Sequence, residues 1–211
     1  MIFFRIVLFC FVLLVAEQSL YGLSILSGPT VISGTGRNSS EQIAIATTGK
    51  AMAIWVNNQN QIQASYFNGT TWGAALNIAT GSFPQVGIDG SGNATAIWLS
   101  INISTSQIFT SRYTAATGTW STPILQSTGG INASPQIAVN TLGYALAIWV
   151  VSSPQSIIAT SYNPSTATWA TPVTLATGTG FPLVVLDNLN HGIVTWTDPN
   201  AEIEALTVSV P

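Results

Sequence analysis

The sequence repeats itself in units of about 48 residues. The tripeptide Ala-Ile-Trp ends at Trp55, Trp98 and Trp149, a looser copy ends at Trp196, and the intervals between them are 43, 51 and 47 residues. A second tryptophan series, Trp72, Trp120 and Trp169, runs at 48 and 49, and a tyrosine series, Tyr66, Tyr113 and Tyr162, runs at 47 and 49. Three markers on one period define a repeat protein. A unit of this length is one supersecondary module that must stack on its neighbours to bury its apolar face.

Within each unit apolar and polar residues alternate with the period of a strand. A first strand covers 42–45, 85–88, 136–139 and 183–186, with Pro84, Pro135 and Pro182 ahead of the last three. A turn leads to the second strand, which ends at the Ala-Ile-Trp tryptophan. A third strand runs over 62–66, 108–113 and 157–162, and a short fourth strand follows the second tryptophan, as at 123–125 and 172–175. In the second strand Ala51, Ala53 and Trp55 share one side, with Met52, Ile54 and Val56 on the other. Both sides are apolar, so this strand is sandwiched between sheets, its alanines leaving room for large residues opposite.

Four-stranded sheets stacked face to face at this repeat length specify an all-β fold, a β-propeller of about four blades. The expected units are roughly 37–82, 83–133, 134–180 and 181–211, within one domain over 23–211. Residues 28–36 resemble the fourth-strand stretch at 171–178. This N-terminal strand is expected to complete the last blade and remove two exposed edges. The alternative is an open arc that completes a larger ring by dimerising, so a monomer and a homodimer are both compatible with the repeat.

Composition narrows the functions. Only 5% of residues are charged, against about 25% in an average soluble protein. With four basic residues in the whole chain there is no electrostatic footprint for nucleic acid and no polybasic patch for anionic lipid. Strands of this length are also too short for a transmembrane barrel. At the N-terminus Arg5 precedes 11 apolar residues, Ile6 to Ala16, ended by Glu17. That is a signal-peptide core rather than a spanning helix, which needs about 20. Residues 1–22 are therefore expected to be removed on export, leaving a secreted or cell-surface protein with no membrane span. Cys10, the single cysteine, falls inside this segment, so the mature chain has no disulfide, thiol nucleophile or thiolate metal site. Five N-x-S/T sequons begin at Asn38, Asn68, Asn93, Asn102 and Asn132.

Candidate chemistry is sparse. The Asp89-Gly90-Ser91-Gly92 stretch looks like a cation loop, but its counterparts begin with Asn140, Asp187 and Ala46. A charge replaced by Asn and Ala at equivalent sites marks a turn, with a left-handed Gly or Asn in fourth place. His191 is the only histidine and sits at such a turn. Asp198, Glu202 and Glu204 form the tightest acidic group, a solvated edge or at most a weak calcium site. No nucleophile elbow, Ser-His-Asp set or carboxylate pair can be assembled. No catalytic residue, metal or cofactor is expected. Trp55, Trp98, Trp149 and Trp196 belong to the core. The second tryptophan series lies in polar loops, and Trp72, Trp120 and Trp169, with Tyr66, Tyr113 and Tyr162, are the candidate ligand-binding residues. Their apolar faces suit pyranose rings, with neighbouring Asn, Gln and Thr supplying hydrogen bonds.

The pattern D-x-x-G-N-A-x-A-x-W at Asp89 to Trp98 resembles the repeats of bacterial exported β-propeller proteins. The looser grammar of proline, alternating strand, turn, aromatic strand and tryptophan loop is similar to tectonin-type and PLL-type lectin propellers. The resemblance covers 28–211. It implies a propeller of five to seven blades with sugar sites between blades, against the four units counted here. The expected function is an exported, non-catalytic binding or interaction module, with a glycan or a surface protein as partner. The alternatives are a structural or surface-display protein and half of a larger dimeric propeller. A hydrolase is disfavoured by the missing acid and base pairs.

Overall fold

The computed structural model describes residues 26–101, 105–127 and 129–211. The expected signal segment, 1–22, lies outside them, as does the sequon residue Asn102. The described residues form four antiparallel sheets and no helix. Sheet 1 holds β1 (Ser39–Ile45), β2 (Ala51–Val56), β3 (Gln61–Phe67) and β4 (Leu76–Thr80) in sequence order. In sheet 2, β5 (Ser82–Ile88), β6 (Ala94–Ile101) and β7 (Ser106–Thr114) run side by side, and β7 also pairs with β8 (Thr119–Trp120) and β9 (Ile124–Leu125). Sheet 3 repeats this with β10 (Asn132–Val139), β11 (Ala145–Ser152), β12 (Gln155–Asn163), β13 (Thr168–Trp169) and β14 (Val173–Ala176). Sheet 4 has three strands, β15 (Thr179–Leu186), β16 (His191–Thr197) and β17 (Ile203–Ser209).

Local chemistry sets these elements. The hairpins between first and second strands place Gly49, Gly92, Gly143 and Asn190 at φ of 78°, 92°, 91° and 65°, the left-handed position that Gly and Asn fill most easily. Asp89 Oδ1 accepts the backbone N–H groups of Ser91 and Asn93, both at 2.9 Å, and Oδ2 accepts the Asn93 side-chain amide. Asn140 accepts the equivalent N–H groups of Leu142 and Tyr144, and Asp187 those of Leu189 and His191. The acidic loop is thus a turn cap, as expected, and Asp198 caps another turn through Asn200 and Glu202. The prolines also find a reason. Each first strand shifts register near its start, and Phe83 and Ser134, at φ of 51°, precede Pro84 and Pro135 at these bulges. A residue with no N–H is tolerated where the ladder is interrupted.

The sheets stack through the second strands. Met52, Ile54 and Val56 pack against Ala94, Ala96 and Trp98 of sheet 2. Ile97 and Leu99 then meet Ala147 and Trp149 of sheet 3, and Leu146, Ile148 and Val150 meet Val194 and Trp196 of sheet 4. Each sheet offers its small-residue side to the sheet before it. Clearance is minimal: a Cβ on Gly87 would lie 2.5 Å from Val139 Cγ2 of the next sheet. The first strands β1, β5, β10 and β15 neighbour one another in series, and the ends of all four border one cavity.

One expectation is not met. Residues 28–36 form no strand, and sheet 4 keeps three strands with β17 at its edge. Glycines at 28, 34 and 36, the last at φ of 123°, break the alternation that a strand needs.

Candidate functional site

Register decides which aromatics meet. Along the third strands Ala51 opposes Phe67, Ala94 opposes Tyr113 and Ala145 opposes Tyr162. Phe67, not Tyr66, is therefore the counterpart of Tyr113 and Tyr162. Each of the three then faces the second tryptophan of its own sheet: Phe67 with Trp72 at 5.2 Å between ring centroids, Tyr113 with Trp120 at 5.5 Å, and Tyr162 with Trp169 at 5.4 Å. The spacing of five from Ile62, Ile108 and Ile157 to the aromatic carried this information; the shared tyrosine identity obscured it. The tryptophans are half-buried and paired across strands rather than free in loops.

Tyr66 occupies the place that Arg112 and Ser161 hold in sheets 2 and 3, opposing Met52 as they oppose Thr95 and Leu146. From there it points to the next sheet. Its ring lies 5.2 Å from that of Tyr113. With Trp120, Met52, Ala64 and Asn68 these two tyrosines line a cavity of about 270 Å³ between sheets 1 and 2. The Trp120 indole N–H is itself buried and has no partner among the described residues. Burial, then the charge of Asp89, raises the Tyr66 pKa; burial, then Tyr66, raises that of Tyr113. Both phenols stay neutral donors at neutral pH.

The equivalent slots are different. Between sheets 2 and 3 the Arg112 guanidinium lies 4.1 Å over the Tyr162 ring and donates from Nη1 to Thr95 Oγ1 at 2.6 Å. Desolvation lowers its pKa, and Tyr162 and Asp89 oppose the shift. Arg112 fills this slot itself. Between sheets 3 and 4, Ser161 and Val208 border an aliphatic cavity of about 310 Å³ with Leu146 and Val210. Trp169 faces a broader opening between sheets 2 and 3, beside Gln107 and Gln126. Of the six candidate residues, the slot between sheets 1 and 2 thus brings together Tyr66, Tyr113 and Trp120. Trp72, Tyr162 and Trp169 lie elsewhere. Met52, Ala64 and Asn68 had no mark in the repeat to single them out.

Among the described residues no group of three His, Cys, Asp or Glu side chains could hold a metal. His191 pairs with Asp187 at 3.4 Å on the surface.

Fold and slot together define an all-β protein of four stacked antiparallel sheets with cavities where sheets meet. No family model and no curated protein matches the chain. Among solved structures it is similar to a Hadza microbial sialidase, with 14% identity over 81% of this chain and a TM-score of 0.54. The chain spans only 44% of that sialidase. It is also similar to a mutant Aleuria aurantia lectin in complex with alpha-methyl-L-fucoside, at 11% identity over 79% of this chain and 74% of the lectin, TM-score 0.43. The same lectin mutant with Fucalpha1-6GlcNAc gives 11% identity over 79% and 75%, TM-score 0.40.

Proposed function

We propose that the chain is an exported, non-catalytic carbohydrate-binding module. In this reading its four sheets stand as β-propeller blades, and its glycan site is the slot between sheets 1 and 2. The observation that carries the reading is the cluster of Tyr66, Tyr113 and Trp120 around one cavity, with a buried indole N–H that has no partner among the described residues. Aromatic walls take the C–H face of a sugar ring, while an indole and phenolic hydroxyls hold its oxygens. Among the described residues no charged one lines the slot, which suits a neutral sugar. Export is supported by the signal-like segment 1–22.

The test is titration of glycans, first selected on an array, against the folded protein and its Tyr66→Ala and Trp120→Phe variants. Loss of a ring wall is expected to weaken binding about tenfold, roughly 1.4 kcal/mol. Absence of binding to every glycan, or binding indifferent to both variants, overturns the reading.

A second reading, half of a larger dimeric ring, is favoured by aliphatic side chains on the first and last sheets. Ile43 and Ile45 of β1 are 66% and 74% exposed, and Leu183, Val185 and Ile203 of sheet 4 are 60%, 62% and 75% exposed. Light scattering decides: twice the chain mass at micromolar concentration supports this reading, and a monomer removes it.

A further inference from the structure

A second cavity, of about 310 Å³, opens on sheet 3 between the start of β10, the β11–β12 hairpin and β14. This volume is at the small end of ligand pockets, about 300–1,000 Å³. Among the described residues no charged one lines it. Two of its lining residues carry buried polar atoms with no partner among the described residues, Asn132 Oδ1 and Trp149 Nε1. An orphaned buried donor or acceptor costs about 1–3 kcal/mol, so two on the residues lining one cavity call for an explanation.

Each orphan has a specific cause. The Asn132 amide nitrogen faces three carbonyls, those of Ser106, Gly129 and Gly130. Turning the amide over would set oxygen against oxygen, so its orientation is fixed and Oδ1 is left over. Trp149 lacks what Trp55 has. Trp55 opposes Gln63 and donates its indole N–H to Gln63 Oε1 at 3.1 Å. Trp149 occupies the same place in sheet 3 and opposes Ile158, which can accept nothing. One acceptor and one donor thereby lie just behind a wall that holds the aliphatic Val151, Ile158 and Val173 beside Ser153, Ser156 and Thr174.

We infer that this cavity is a binding site for an acetamido group, as carried by an N-acetylated amino sugar. The group has one N–H, for Asn132 Oδ1, one carbonyl, for the Trp149 N–H, and one methyl, for the Val151, Ile158 and Val173 side chains. Its neutrality matches the uncharged lining. Neither orphan is reached by solvent, so binding here requires the rim to give way. That rim is Gly129 and Gly130, both at positive φ, the residue type least constrained in such a movement. The site is separate from the slot between sheets 1 and 2 and stands whether or not that slot binds a glycan.

The test follows indole N–H resonances of the ¹⁵N-labelled full chain, with Trp149→Phe and Trp120→Phe identifying two of them. N-acetylglucosamine is titrated to roughly 50 mM, the range of weak monosaccharide affinities, with glucose as control. The Trp149 resonance is expected to move with N-acetylglucosamine at least about tenfold more tightly than with glucose. Ile158→Gln supplies the internal acceptor that Trp55 enjoys, and it is expected to shift the Trp149 resonance and abolish its response. This variant serves equally if Trp149→Phe fails to fold, since it identifies the same resonance. A Trp149 resonance that ignores both sugars, or follows both alike, overturns the assignment. A response confined to the Trp120 resonance supports the slot and overturns this site.

Discussion

Arg112 covers the ring of Tyr162, its guanidinium carbon 4.1 Å from the ring centroid, in the place where Tyr66 leans on Tyr113 one sheet earlier. One repeat position thus lines a cavity at one interface and closes the next. Among the described residues Arg112 has no carboxylate partner within ion-pair distance, where the only such pair is His191 with Asp187. Its stem, its stack on the ring and its bond to Thr95 Oγ1 therefore do the holding. Arg112→Ala is expected to lower stability by about 1–2 kcal/mol, and Arg112→Lys to restore only part, because an ammonium cannot lie flat on a ring. Urea unfolding of the three proteins checks this; equal midpoints would show that the slot needs no plug.

Asp89 is expected to behave as a cap and not as a charge. Asp89→Ala strands three N–H donors, of Ser91, Asn93 and the Asn93 amide, at a cost of about 2–3 kcal/mol. Asp89→Asn keeps the two backbone bonds, as Asn140 does in sheet 3, and is expected to cost about 1 kcal/mol, for the Asn93 side-chain bond alone. The order of the urea midpoints is the readout, and Asn destabilising as much as Ala would mean that the charge itself matters.

Sheet spacing predicts two unequal glycine substitutions. In Gly192→Ala the new methyl would meet Leu146 Cδ2 at 2.5 Å, the movable end of a side chain, and the Val208 Cγ2 methyl at 2.9 Å, with no Cβ or backbone atom nearer than 3.5 Å. In Gly87→Ala it would meet Val139 Cγ2 at 2.5 Å, Cβ at 2.8 Å and the backbone nitrogen at 3.2 Å. A branched Cβ and a backbone atom cannot step aside. Overpacking is expected to cost about 1 kcal/mol at Gly192 and about 3 kcal/mol at Gly87, measured by thermal or urea unfolding.

Much of this architecture was legible in the sequence, because period and alternation are properties of the chain itself. Ala94, Ala96 and Trp98 face one way and Ile97 and Leu99 the other, as alternation requires, and Gly92 and Asn190 mark their turns by residue type alone. Cross-strand register was less legible. The tyrosines at 66, 113 and 162 share a chemistry but not a face, since only Phe67 opposes an alanine as Tyr113 and Tyr162 do. Residues 28–36 misled for a related reason: likeness to 171–178 in composition did not outweigh three glycines. The orphaned Trp149 was invisible, because its cause is the identity of Ile158 on the neighbouring strand.

The alkaline limb of stability follows from Tyr66 and Tyr113. Burial raises both pKa values above an ordinary value of about 10, so the folded state holds these protons longer than the unfolded one. The resulting stability is fully present below pH about 10 and is lost as pH rises through the folded values. Tyr113→Phe is expected to flatten this fall between pH 10 and the higher folded value, and urea midpoints measured from neutral pH upward are the check. An unchanged slope would mean that the phenol ionises freely in the fold.

The sequons separate by burial, since the Asn38 and Asn68 amides are hydrogen-bonded too. Asn38 and Asn68 are exposed. Asn93 donates to Asp89 Oδ2 and accepts the Ala115 N–H, and Asn132 is buried with its amide nitrogen on three carbonyls. A glycan on either of the latter two removes those bonds and places a bulky polar group inside the sheets, so chains modified there are lost from the folded pool. Secreted from a glycosylating host, the folded protein is expected to carry glycans at Asn38 and Asn68 and none at Asn93 or Asn132. Peptide mass spectrometry after enzymatic deglycosylation in heavy-oxygen water reads occupancy site by site. Substantial occupancy at Asn132 in folded protein would show that its amide is not held as described, and with it would fall the orphaned oxygen beside Trp149.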